Sequence, residues 1–108
     1  MGIKGDKLTN DSNDAAQYLL DQCQNIAGLS AKKMFGGNGL FHDKKMFGLV
    51  NSKGQIFVKA NKERATEYVL MGSIKHVKMP YFLVPDKILQ DNDALNQWVD
   101  HAIEVSKK

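Results

Sequence analysis

Four short runs, AKKMFG, GLFHD, KKMFGLV and QIFVKA, follow one another between Ala31 and Ala60, broken by GN, DK and NSKG. Turn residues at this spacing predict an antiparallel meander. In the last run Ile56 and Val58 point one way, and Gln55, Phe57 and Lys59 the other. One face is therefore apolar, and the other carries lysine with an aromatic beside it. Gly54 is placed to supply the positive φ that closes the NSKG turn.

The same region holds GGNG inside a repeated Met-Phe-Gly, which raises a phosphate-binding loop as an alternative. A dinucleotide fingerprint needs GxGxxG, and Gly37-Asn38-Gly39 supplies only GxG before Leu40, Phe41 and His42. No GxxxxGK followed by Ser or Thr occurs. A strand rather than a helix is predicted after GGNG, so no helix N-terminus faces a phosphate. The glycines read as a tight bend or bulge. A hairpin explains the two Met-Phe-Gly copies, with Met and Phe expected to supply core.

Helices are predicted on either side. Ala16, Leu19, Leu20, Cys23 and Ala27 line one face of a helix over about residues 13–27, capped by Ser12 or Asn13 and ended by Gly28. Asn61 caps a second helix with Ala65, Tyr68 and Val69 on its buried stripe, stopped by Gly72. SIKHVKM and YFLV read as strands on either side of Pro80. Asp91 or Asn92 opens a last helix in which Leu95, Trp98, Val99, Ala102 and Ile103 form an amphipathic stripe.

The order is helix, three or four strands, helix, two strands, helix. With three taken before the second helix, it is an α+β protein, α-β(3)-α-β(2)-α, two layers with an antiparallel sheet against helices. The other sheet face is expected to be at least partly open. At 108 residues the chain fits one domain, expected over 13–108 behind a disordered lead-in over 1–12. That lead-in has no apolar core of a secretory signal, and no apolar run approaches a membrane span. Cytoplasm is the expected location.

Charge is unevenly placed. Residues 30–80 carry ten Lys or Arg against three acids, whereas the remainder has five Lys and nine acids. The basic middle suggests a surface for an anionic partner, with Lys32, Lys33, Lys44, Lys45, Lys59 and Lys78 its candidates. A solvated lysine face is the simpler explanation of the same residues.

Specific chemistry finds little support. His42, His76 and His101 are scattered, and there is one Cys and no CxxC or HxxxH. Cys23 lies on an apolar stripe and reads as core. No nucleophile sits in a recognisable context. Neither a catalytic residue, a metal site nor a cofactor is expected. Phe35, Phe41, Phe47, Phe57, Tyr81 and Phe82 fall in strands, as in sheets that stack on single-stranded nucleic acid, but the RNP1 pattern is absent. Arg64 is the sole arginine, so lysine contacts to phosphate without sequence choice are the most that this composition supports.

The run AKKMFGG-N-GLFHDKKMFGLV, then QIFVKA, KMPYFLVP and LNQWVDHA, resembles the N-terminal domain of the TfoX (Sxy) family. The matching positions are Lys32, Lys33, Met34, Phe35, Gly36, Gly37, Gly39, Met46, Phe47, Lys59, Met79, Pro80, Tyr81, Pro85 and Trp98. The resemblance covers roughly residues 15–105. It implies a two-layer α+β fold of the YgaC/TfoX-N, secretion-chaperone-like group. It also implies a bacterial, non-enzymatic regulator that helps the cyclic-AMP receptor protein activate competence and DNA-uptake genes. A stand-alone form of the domain, without the helical second domain of full-length competence regulators, is expected, and the segment before MPY is short. The expected partner is a protein, with homodimerisation and weak nucleic-acid binding as alternatives. A chaperone-like peptide-binding module without a competence role is the second functional reading.

Overall fold

The computed structural model describes residues 11–34, 36–76 and 80–107. Helix α1 (Asp11–Gln22) leads into strands β1 (Leu29–Met34), β2 (Gly37–His42), β3 (Lys45–Val50) and β4 (Ile56–Lys59). Helix α2 (Lys62–Leu70), strand β5 (Tyr81–Leu83), the single turn α3 (Asp86–Leu89) and helix α4 (Asn92–Ser106) follow. The strands form one antiparallel sheet in the order β1-β2-β3-β4-β5. The α+β two-layer expectation holds, with two changes of count. Four strands rather than three precede α2, and SIKHVKM supplies only an isolated bridge between Lys75 and Phe82 among the described residues.

The DK and NSKG turns form as read, whereas GN lies inside β2 and the bend falls earlier, at Gly36. Asn51 Oδ1 accepts from the N–H groups of Lys53 (3.0 Å) and Gln55 (2.9 Å), and Gly54 adopts φ +84°. Gly36 bends the β1–β2 hairpin at φ +79°. Asn61 caps α2 by accepting from the Arg64 N–H at 2.9 Å, and Asp91 caps α4 by accepting from the Ala94 N–H at 3.2 Å.

All four helices lie against one sheet face. Leu40, Phe47, Val50, Ile56, Val58 and Phe82 from the sheet meet Ala16, Leu19 and Cys23, then Tyr68, and Leu95, Trp98, Val99, Ala102 and Ile103. Phe47 reaches this face because the β2–β3 register slips between Leu40 and Phe41, leaving an extra residue on β3. Met46 does not join the core; it is half-buried on the opposite face.

The first helix is displaced from its predicted span. It begins at Asp11, and Ser12 is buried within it rather than capping it. It ends at Gln22, not Ala27, because Asn92 and Asn96 of α4 donate to the Gln22 carbonyl at 2.8 and 3.1 Å. The Ile26 N–H turns to the Cys23 carbonyl instead, at 2.9 Å. Cys23 is nevertheless fully buried, whereas Ala27 is exposed. Residues 1–10 of the expected lead-in lie outside the described residues. On α2 the predicted stripe narrows to Tyr68, with Ala65 half-buried and Val69 exposed.

Candidate functional site

Strand register decides what the second sheet face carries. Lys32 pairs with Gly39, Gly39 with Leu49, Leu49 with Phe57, and Phe57 with Leu83. Directly paired residues share a face, so this row crosses the whole sheet away from the helices. Its neighbour contains Ser30, Phe41, Met46, Lys59 and Tyr81. The result is an apolar field with one lysine on β1 and another on β4, roughly 15 Å apart by strand spacing.

Local contacts flatten this field. A Cβ on Gly39 would stand 2.8 Å from Met34 Sδ and 3.0 Å from Phe41 Cε1. Glycine at this position leaves room for those two side chains to close over β2. Met34, Phe41, Met46 and Leu49 remain half-buried. Phe57 and Tyr81 are buried, Phe57 meeting the His76 ring edge-on at 5.1 Å. Lys59 lies over the Tyr81 ring with Nζ 5.8 Å from its centroid, and burial raises the Tyr81 pKa. A lysine on an aromatic face gains a cation–π attraction and keeps its charge at the surface.

The six predicted lysines do not form one patch. Lys32 and Lys59 share the open face. Lys33 projects on the helix side of β1, Lys44 occupies the β2–β3 turn, and Lys45 opens β3 opposite His42. Lys78 lies outside the described residues, as do Phe35 and Met79. The basic middle does sort by layer. The five strands carry Lys32, Lys33, Lys45 and Lys59 and no acid, while α1 and α4 together carry six acids and no Lys or Arg. The strands are thus net basic, and α1 and α4 net acidic.

The remaining motif residues are structural. Gly37 lets β2 pass β3, since a Cβ there would stand 2.0 Å from the Val50 carbonyl oxygen. Pro85 precedes α3, Pro80 is exposed, and Trp98 is buried. Sequence reasoning missed Asn38. It is buried in the middle of GGNG and donates to Ser12 Oγ and Asn13 Oδ1, both at 3.0 Å, while Ser12 Oγ donates to the Val50 carbonyl at 3.3 Å. Its polar character between glycines in an otherwise apolar strand was the available signal.

A concavity of about 510 Å³ lies between α4, the end of β2 and the start of α2. Arg64 and Lys107 line it with Asp100 and Glu104, beside His42 and His101, so its charges offset one another. His101 Nε2 accepts from the Asn61 N–H at 3.3 Å and so braces the start of α2. Among the described residues no three His, Cys, Asp or Glu side chains are grouped to hold a metal ion.

A family model described as the TfoX N-terminal domain matches residues 21–106. The chain belongs to the TfoX N-terminal domain family. The match takes in the whole sheet, α2, α3 and all of α4, and leaves out most of α1. In this TfoX domain the Asn38 side chain ties that outlying helix to the matched body. Comparison with curated proteins finds no match. No helix of the TfoX domain, among the described residues, is long and apolar enough to cross a membrane.

Proposed function

We propose that this TfoX-family domain is a non-enzymatic cytoplasmic regulatory protein that works by docking a protein partner on its open sheet face. The observation that carries this reading is the composition of that face. Phe41, Met46 and Leu49 are half-buried between Lys32 and Lys59, and the strands hold no acid. Apolar and methionine-containing surface with sparse charge suits protein recognition. A phosphate-tracking surface would instead place lysines or arginines side by side along one groove, and the separation of Lys32 from Lys59 disfavours it.

Family membership supports a role in expression of competence and DNA-uptake genes through a transcription factor. The test is genetic. Deletion should lower transcripts of DNA-uptake genes, wild-type protein should restore them, and Leu49→Glu, folded by circular dichroism, should not. Unchanged transcripts on deletion would remove the competence role. Full rescue by Leu49→Glu would remove the open face as the docking surface.

A further inference from the structure

The two edges of the sheet are treated differently. Beyond β5, residues 74–76 close the edge: the His76 N–H donates to the Tyr81 carbonyl at 2.8 Å and the Leu83 N–H to the Ile74 carbonyl at 2.9 Å. Beyond β1, no strand follows among the described residues, and β1 is one of the longest strands at six residues. Its outward groups can be named. The Asp43 N–H donates to the Gly28 carbonyl at 2.9 Å, which makes Gly28 and Asp43 a hydrogen-bonded pair. The β1–β2 register is regular from Leu29 to Met34. Alternation therefore turns the N–H and C=O of Ser30, Lys32 and Met34 toward β2, and those of Leu29, Ala31 and Lys33 outward.

We propose that β1 takes up an extended acidic segment of a partner protein as a sixth strand. This rests on the protein-partner reading above and names how that partner is held. Charge selects the occupant. Lys32 and Lys33 are both exposed, project to opposite faces of the sheet, and have no carboxylate partner among the described residues. Two consecutive carboxylates on an added strand also alternate faces, so one meets Lys32 and the next meets Lys33. A second copy of this chain fits poorly. Antiparallel pairing through the outward groups, with Ala31 opposite its own copy, would set the two Lys32 side chains diagonally on one face and offer neither lysine a carboxylate. The lysine pair thus disfavours self-association and admits an acidic strand at the same edge.

The experiment is fluorescence anisotropy at low salt with a labelled decapeptide of alternating Thr and Val interrupted by a central Glu-Glu. The acidic peptide is expected to bind, more weakly as salt rises, and a Lys-Lys version is expected not to bind. N-methylation of one set of alternate residues should abolish binding while the other set is tolerated, because only one set of N–H groups faces β1. Ala31→Pro removes one outward N–H and spares the β1–β2 ladder, so it should weaken binding without unfolding the protein. Lys32→Glu with Lys33→Glu should weaken the acidic peptide about tenfold and admit the Lys-Lys peptide. Equal binding of both N-methylated peptides, or binding that responds to Leu49→Glu but not to Ala31→Pro, would overturn strand addition and leave a protein-binding face standing. No binding of the acidic peptide would also overturn it, while the Leu49→Glu complementation still decides the partner reading independently. A dimer in sedimentation that Lys32→Glu with Lys33→Glu disrupts would make a second copy the occupant and overturn the proposal.

Discussion

Tyr68 of α2 and Trp98 of α4 lie face to face, their ring centroids 3.5 Å apart and their planes within 7°. This stack is the main attachment of α2 to the body, since Tyr68 is the buried residue of that helix. The Tyr68 hydroxyl is buried without a well-formed hydrogen bond. Burial raises its pKa, and the nearby Arg64 guanidinium opposes that effect in part.

The ring and the hydroxyl of Tyr68 should therefore have opposite signs in stability. Tyr68→Phe keeps the stack and removes an unsatisfied polar group, so it should be neutral or stabilising by up to about 1 kcal/mol. Trp98→Ala removes the stack and leaves a cavity, at a cost of about 3–5 kcal/mol. Urea denaturation of both variants checks the contrast. A clearly destabilised Tyr68→Phe would mean that the hydroxyl is satisfied in solution.

Asn38→Ala breaks one buried and one part-buried hydrogen bond to α1 and leaves the Ser12 hydroxyl with its bond to Val50 alone. The expected loss is about 1–3 kcal/mol. Amide hydrogen exchange should quicken in the first turns of α1 more than in α4. Uniform quickening would show that α1 is not held separately by this residue.

Adjacent glycines should respond very differently to alanine. At Gly36 a Cβ meets open space, and the cost is the positive φ alone, about 1–2 kcal/mol. At Gly37 a Cβ would stand 2.0 Å from the Val50 carbonyl oxygen, backbone that cannot swing aside. Gly37→Ala should cost about 3 kcal/mol or more. Thermal melts of the pair decide this, and equal melting temperatures would contradict the close approach of β2 and β3.

The protein should lose stability in alkali. Burial, with Asp100 adding to it, pushes the Cys23 thiol from 9.0 up to about 11. Below pH 9 both folded and unfolded chains hold that proton, and the contribution is complete. Between about pH 9 and 11 the unfolded chain releases it first, so stability falls as pH rises, by on the order of 3 kcal/mol. Burial raises Tyr68 and Tyr81 in the same direction. Melting temperature against pH should show the decline, and Cys23→Ala should make it shallower.

Much of the fold was legible because its signals are local. The Asn51 side chain and Gly54 close their own turn, Asn61 and Asp91 cap the helices that follow them, and the stripe from Leu95 to Ile103 is buried as spaced. What was misread depends on distant partners. Gln22 ends α1 because Asn92 and Asn96, some seventy residues on, occupy its carbonyl. Val69 is exposed because α2 packs at the margin of the body through one ring. Met46 leaves the core because a bulge turns Phe47 inward in its place.

The candidate site divides the same way. The sequence alone determined that the middle of this protein is basic, aromatic and built from short strands, because composition and turn residues act over a few positions. Only the tertiary structure decided that Lys32 and Lys59 flank one apolar face while Lys33 stands on the other side of β1. Side chains alternate along a strand, and a one-residue slip in pairing moves every later one to the opposite face. Register is set by contacts between strands, so no single stretch of sequence contains it.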